Sequence, residues 1–177
     1  MRFQKISNEV YVATEPIVKV GPVEIAFLRD KVGGAPRGRV RLCAHSASGD
    51  LLHEMIIALA QSTYIRPHKH LAKSESFHLI EGMVEVVAFH DDGRISEVIS
   101  MGDPASGRDF YYRLSSPIFH TLLIRSEVLI IHETTNGPFR QGDAVFADWA
   151  PPEDDAAAAR SYLAGLSAAV AGIRPAA

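Results

Sequence analysis

Two histidines and a glutamate at close spacing could hold a metal ion. In PHKHLAKSESFHLIEG, Pro67 to Gly82, His68 and His70 stand two residues apart, Glu75 follows, and Gly82 comes after it. Side chains at i and i+2 of a β-strand share one face, so both imidazoles can aim at one point from a sheet edge. A short turn over Leu71 to Ser74 lets Glu75 return on the neighbouring strand. Two imidazoles and a carboxylate converging in this way suit a divalent transition metal, with imidazole favouring Zn, Cu, Fe and Ni. A third imidazole is available at His120, inside the apolar run FHTLLI of residues 119 to 124.

The other polar candidates separate by position. His78 has the opposite strand parity to Glu75 and is expected to face away. His90 sits beside an Asp-Gly turn, where water solvates it. His45, His53 and His132 read as hydrogen-bonded structural histidines. His132, following His120's strand, has the best claim to support a metal-bound ring. Arg66 and Lys73 flank the ligands, and a cation at either place favours an anionic ligand such as a carboxylate, sugar phosphate or enediolate. The other reading of both is a rim or ion-pair residue. Tyr64, Tyr111 and Tyr112 either line the mouth and donate a proton or fill the core.

The chain of 177 residues is long enough for one domain with a core of its own. A formal net charge of −3 gives no electrostatic reason to expect nucleic acid. Cys43 is the sole cysteine, which excludes an intrachain disulfide, and its strand context reads as a small apolar residue. The start, MRFQKISNEVYVAT, shows no apolar signal region, and nowhere do eighteen apolar residues run together. A soluble, cytoplasmic protein without membrane contact is expected.

Three segments organise the chain: an arm and short helix over 1–38, a β-domain carrying the site over 39–135, and a cap with a helix over 136–177. Val10 to Val12 and Ile17 to Val20 are short β-rich runs, forming an edge strand or an arm that crosses to a second subunit. Pro22 opens a helix over 22–32 that stops at Gly33-Gly34. In GAPRGRV, Arg37, Arg39 and Arg41 could collect an anion, although a solvated loop with edge-strand charges is the simpler reading. Short strands then follow without helices between them, hinging at Asp91-Asp92-Gly93 and Ser126-Glu127. This pattern predicts a mainly β, single-domain antiparallel β-barrel or jelly roll. Residues 136–152 form a cap held by the Trp149 indole. Asp154-Asp155 caps a C-terminal helix with Tyr162, Leu163, Leu166, Ala169 and Val170 on one face. The arm and this apolar face both need cover, so a homodimer is expected.

The spacing H-x-H-x4-E-x6-G resembles the first signature motif of the cupin superfamily, and His120 stands where the second motif's histidine falls. Within that superfamily the chain is most similar to the WbuC family of cupin-fold metalloproteins. The matching pieces are PRGRVRL, TYIRPHKH, KSESF, FHT, HETTNGPF and FADWAPPE, in order between residues 36 and 153. Three positions depart from the superfamily pattern: Ser62 and Pro117 replace glycines, and Ile124 replaces an asparagine. The resemblance implies a β-barrel with one divalent metal per chain (Fe, Zn, Ni or Mn) on His68, His70, Glu75 and His120. Four protein ligands leave room on an octahedral ion for a small molecule. The implied protein acts on a small polar or anionic, carbohydrate-type molecule by isomerisation, epimerisation or oxygenation, with Arg66, Lys73, Tyr64 and His132 as substrate-binding candidates. The alternative is a metal-dependent binding or sensing module without turnover.

Overall fold

The computed structural model describes residues 3–173. Its elements run β1 (Phe3–Lys5), β2 (Val10–Ala13), α1 (Pro22–Val32), β3 (Arg39–Cys43), β4 (Leu52–Ala60), β5 (His68–His70), β6 (Glu75–Glu81) and β7 (Met83–Phe89). They continue with β8 (Ile95–Gly102), β9 (Tyr111–Leu114), β10 (Phe119–Ile124), β11 (Val128–Asn136), β12 (Ala144–Phe146) and α2 (Ala156–Ile173).

The strands form two sheets, ordered β1-β2-β3-β4-β11-β6-β9 and β12-β5-β10-β7-β8. All pairings are antiparallel except β2 with β3. The architecture is the mainly β jelly roll expected from the strand spacing. Its two sheets lie face to face and are not joined into one closed ladder. Leu59, Leu79, Val84, Val86, Leu129 and Ile131 fill the space between them.

Central strands are buried on both faces, which explains their unbroken apolar runs. Met55, Ile57 and Leu59 of β4 face the inner core, whereas Ala58 joins Leu28 and Val32 of α1 outside the sheet. Burying each of these two α1 side chains contributes roughly 1.5–3 kcal/mol. On the other sheet, Val87 and Phe89 of β7 pack outward against Leu166 and Val170 of α2. Asp155 caps α2 as expected, accepting from the Ala158 amide at 3.0 Å. The Trp149 indole donates to the Asp91 carbonyl at 3.1 Å and stacks near Phe89, tying the cap to the β7–β8 turn.

Some boundaries differ from expectation. Residues 17–20 form no strand, because Pro16 and Pro22 bracket the run and proline removes ladder donors. The β1–β2 hairpin pairs onto the chain's own β3, which agrees with the edge-strand alternative, and β1 forms the edge of its sheet. The cap also holds a strand the sequence pattern missed: β12 pairs with β5 through Phe146 opposite His68. Three residues are too few for a visible period. Among the described helices, α2 is long and apolar enough by length and composition to cross a membrane, at 18 residues and mean hydropathy 1.2. Its Arg160, Ser161 and Ser167 interrupt the apolar run in the sequence.

The motif glycine, Gly82, links β6 to β7 at φ +96°. A Cβ there would meet the Val128 carbonyl oxygen at 2.5 Å. Gly82→Ala is therefore expected to lower stability by about 2 kcal/mol, the sum of a positive-φ penalty and a backbone collision. A urea denaturation midpoint equal to that of the parent would refute this account of the turn.

Candidate metal centre

The site lies between the sheets. Register sets His68 of β5 directly opposite His120 of β10, both in the five-stranded sheet. Glu75 opens β6 in the facing sheet and points at them. One donor atom from each of His68, Glu75 and His120 lies within 4.8 Å of the other two. His70 stands outside that mutual group. Its Nε2 lies 3.3 Å from Glu75 Oε2, and its ring centre is 5.0 Å from that of His68.

Glu75 is the hub. Its Oε1 lies 2.7 Å from His120 Nε2 and accepts from the Tyr112 hydroxyl at 3.2 Å. Burial pushes the Glu75 carboxyl up, but hydrogen bonds from His120 and His70 outweigh it and hold the group ionised, well below the usual carboxylate range. Burial acts against the charged form of His120, and the Glu75 bond and charge more than offset it, so its pKa rises. His68 lacks such a bond. Burial first, then the neighbouring His120, lowers it to about 4, which keeps its ring neutral and able to ligate.

The donor set fits a divalent transition metal. His68 Nδ1 contacts the Arg66 carbonyl and His120 Nδ1 the Ile118 carbonyl, each at 3.0 Å. A carbonyl can only accept, so both Nδ1 atoms carry a proton. The His68 Nε2 lone pair is then free for a ligand, whereas His120 Nε2 donates to Glu75 and becomes a ligand atom once a metal displaces that proton. Imidazoles beside a buried carboxylate are the donors that Fe, Mn, Ni, Co or Zn take. His70 Nδ1 is buried without a partner among the described residues, and the contact with the Glu75 carboxylate places that ring's proton on Nε2.

Four residues expected near a substrate are committed elsewhere. Arg66 donates through Nε and Nη2 to the Ala147 carbonyl at 3.1 and 2.6 Å, fastening β12's end. Lys73 holds Asp143 at 2.8 Å and the Pro138 carbonyl at 3.0 Å. Tyr64 donates to the Pro151 carbonyl at 2.9 Å. None of the three lines the cavity beside the ligands. His132 does not support a ligand ring, because strand alternation turns it outward while Ile131 and Glu133 face in. Its Nε2 lies 3.7 Å from Glu54 Oε1 instead. His78 and His90 are exposed as expected, and His45 and His53 stack on each other at 4.1 Å.

The ligands open onto a cavity of about 440 Å³. Ile57, Leu59, Ile65, Leu122 and Ile131 form its apolar walls, and Glu133 projects into it. Among the described residues Glu133 makes no hydrogen bond or ion pair. Burial, then the negative charge of Glu75, raises it to about 7. The alternation Leu129, Ile131, Glu133 marks it as an acid on an apolar face, a signal legible once the inner face of the strand is known. Arg37, Arg39 and Arg41 also line the cavity, at the side remote from Glu75. There Glu9 accepts from the Arg37 Nε at 2.8 Å and its backbone amide at 2.9 Å. Arg39 holds Glu153 at 2.9 Å.

A family model described as "Domain of unknown function (DUF6016)" matches residues 24–101. A search of curated protein sequences finds no match. Solved structures similar to the chain include a Shewanella oneidensis protein, at 13% identity and TM-score 0.47 over 58% of this chain and 66% of that one. A Thermus thermophilus protein follows, at 13% identity and TM-score 0.45 over 58% and 86%. The Cnp3 cupin domain of Schizosaccharomyces pombe overlaps at 10% identity and TM-score 0.43 over 55% and 64%. The chain thus spans just under two thirds of the first and third of these structures.

Tyr112→Phe removes the neutral donor to Glu75 Oε1 and is expected to weaken divalent-metal binding roughly tenfold to hundredfold. Competition against a chromophoric chelator measures it, and an unchanged affinity would remove Tyr112 from the site's support. At the cavity's far side, hydrogen bonds from Arg37 lower the Glu9 pKa below its ordinary value of 4.5, outweighing burial. A depressed carboxyl stabilises the fold above the unfolded pKa and loses that contribution as pH falls through the folded one. Glu9→Gln is accordingly expected to cost about 1 kcal/mol near neutral pH, with the gap to the parent closing below pH 4.5. Denaturation at several pH values tests this, and a gap independent of pH would contradict it.

Proposed function

We propose that the protein is a mononuclear metal-dependent enzyme acting on a small polar or anionic molecule. The observation that carries this reading is the convergence of His68, Glu75 and His120 on the wall of a cavity large enough for a small molecule. His70, on the second oxygen of Glu75, is the fourth ligand of this proposal. When bound, the ion supplies Lewis acidity to a polar group of the substrate.

The chain's own residues divide the remaining work. His68 and His120 present fixed Nε2 atoms, Glu75 supplies negative charge, and Tyr112 and His70 hold that carboxylate in place. Glu133 separates an enzyme from a mere binding protein. It is a carboxyl inside the cavity with no side-chain hydrogen bond or ion pair among the described residues, raised to about 7, where it can take or give a proton near neutral pH. Proton transfer at carbon, as in isomerisation or epimerisation, uses such a group directly. Oxygenation is the other reaction class of this proposal, and the metal's identity separates the two. The apolar walls favour the rival reading, a metal-dependent binding or sensing module without turnover.

Elemental analysis of protein purified without a metal-affinity tag, beside His120→Ala, tests the site. About one transition-metal ion per chain is expected in the parent, consistent with a single ligand set, and loss of that ion in the variant. Iron would direct assays to oxygen uptake, and zinc, nickel or manganese to isomerase chemistry. No metal in the parent, and none taken up on soaking, would overturn the proposal. Glu133→Gln should keep the metal and lose most of any turnover, by a factor of about a hundred or more. Full activity in that variant would return the weight to the binding module.

A further inference from the structure

The cavity has a second polar end. Arg39 and Arg41 lie on β3, and Glu75 lies on β6 of the same sheet, with β4 and β11 between them. Three strand spacings separate the two ends across the sheet, roughly 14 Å. Arg41 is in register with Leu79, four residues from Glu75, which adds roughly 13 Å along the strands. Alternation along β3 puts Val40 and Leu42 under α1, so Arg39 and Arg41 are left facing the cavity.

The charges at this end do not cancel. Glu9 binds Arg37 and Glu153 binds Arg39, while the Arg41 side chain has no hydrogen bond or ion pair among the described residues and acts on the Glu133 carboxyl through its charge alone. One exposed guanidinium therefore stands at the cavity's edge with its donors unspent. A planar guanidinium with free donors matches a carboxylate in a two-bond fork.

The stretch between the two ends limits what can lie there. Apart from the Glu133 carboxyl, it is walled by Ile57, Leu59, Ile131 and Leu122, whose side chains offer no donors or acceptors. The Thr121 hydroxyl is already given to the Ile65 carbonyl. Beyond Glu133, a row of sugar hydroxyls would lose water here without gaining partners, at a cost for each group. An aliphatic body loses nothing and gains burial.

We propose that Arg41 is an anion-binding subsite of the same cavity, and that the ligand is an elongated carboxylic acid with an aliphatic body. Its carboxylate sits on Arg41, and its second polar group reaches the His68, Glu75 and His120 end. This rests on the metal-site reading for the second group only. The Arg41 contact needs no metal.

Calorimetric titration of the protein with adipate and suberate, beside hexanoate and octanoate, tests the subsite. Each acid is titrated into metal-loaded and chelator-treated protein, and into Arg41→Gln. Arg94→Gln is the charge control, since Arg94 pairs with Asp92 in the β7–β8 turn, away from the cavity. All four acids should bind chelator-treated parent about tenfold more tightly than chelator-treated Arg41→Gln, as one charge-assisted contact implies. Arg94→Gln should match the parent. Metal loading should add affinity for the diacids alone. If that metal increment is missing while the Arg41 increment stands, the metal reading fails and the subsite survives. Equal binding by the parent and Arg41→Gln, or an equal loss in Arg94→Gln, overturns the subsite.

Discussion

One buried carboxylate constrains the centre of this fold. Glu75 sits between the two sheets, where an ionised group without partners would be prohibitive. It is tolerated because Tyr112 comes from its own sheet and His70 and His120 from the facing one. Those partners fix the spacing of the sheets at this point and the direction in which β6 begins. Removing any one of them leaves a buried charge short of a contact, a more serious loss than that of a surface ion pair.

Two features of the chain keep that charge where it is. The central strands are covered on both faces, by α1 on one sheet and α2 on the other, so neither sheet can slide by one residue without burying polar groups. The His68–Lys69–His70 strand is short, and it is held on one side by β10 and on the other by β12. The cap thus serves the site through pairing. Arg66 reinforces it by gripping the Ala147 carbonyl just beyond β12.

The cavity that results is chemically uneven. Imidazoles and carboxylates gather at one end, aliphatic walls follow, and guanidiniums stand at the other. Such a gradient orients a ligand as well as holding it, because each portion has one compatible environment. Glu133 lies between the ligands and the aliphatic walls, where burial and the charge of Glu75 bring its proton affinity into the range useful near neutral pH.

Local pattern determined much of this. Proline and glycine punctuation bounds α1 at residues 22–32, the Asp-Gly turn places the β7–β8 hairpin, and the i, i+2 rule brings His68 and His70 to one face of β5. These depend on neighbours in sequence, so the chain itself states them. Pairing between distant strands decided the rest. Whether Arg41 meets solvent or a cavity depends on which face of β3 the α1 helix covers, and His132 turns outward because Ile131 and Glu133 share the inner face. Arg66, Lys73 and Tyr64 were drawn away by carbonyls and a carboxylate from residues 138–151, a cap whose path no local signal predicts. Long-range partners compete for every cation near the site, and only the tertiary structure shows which ones prevail.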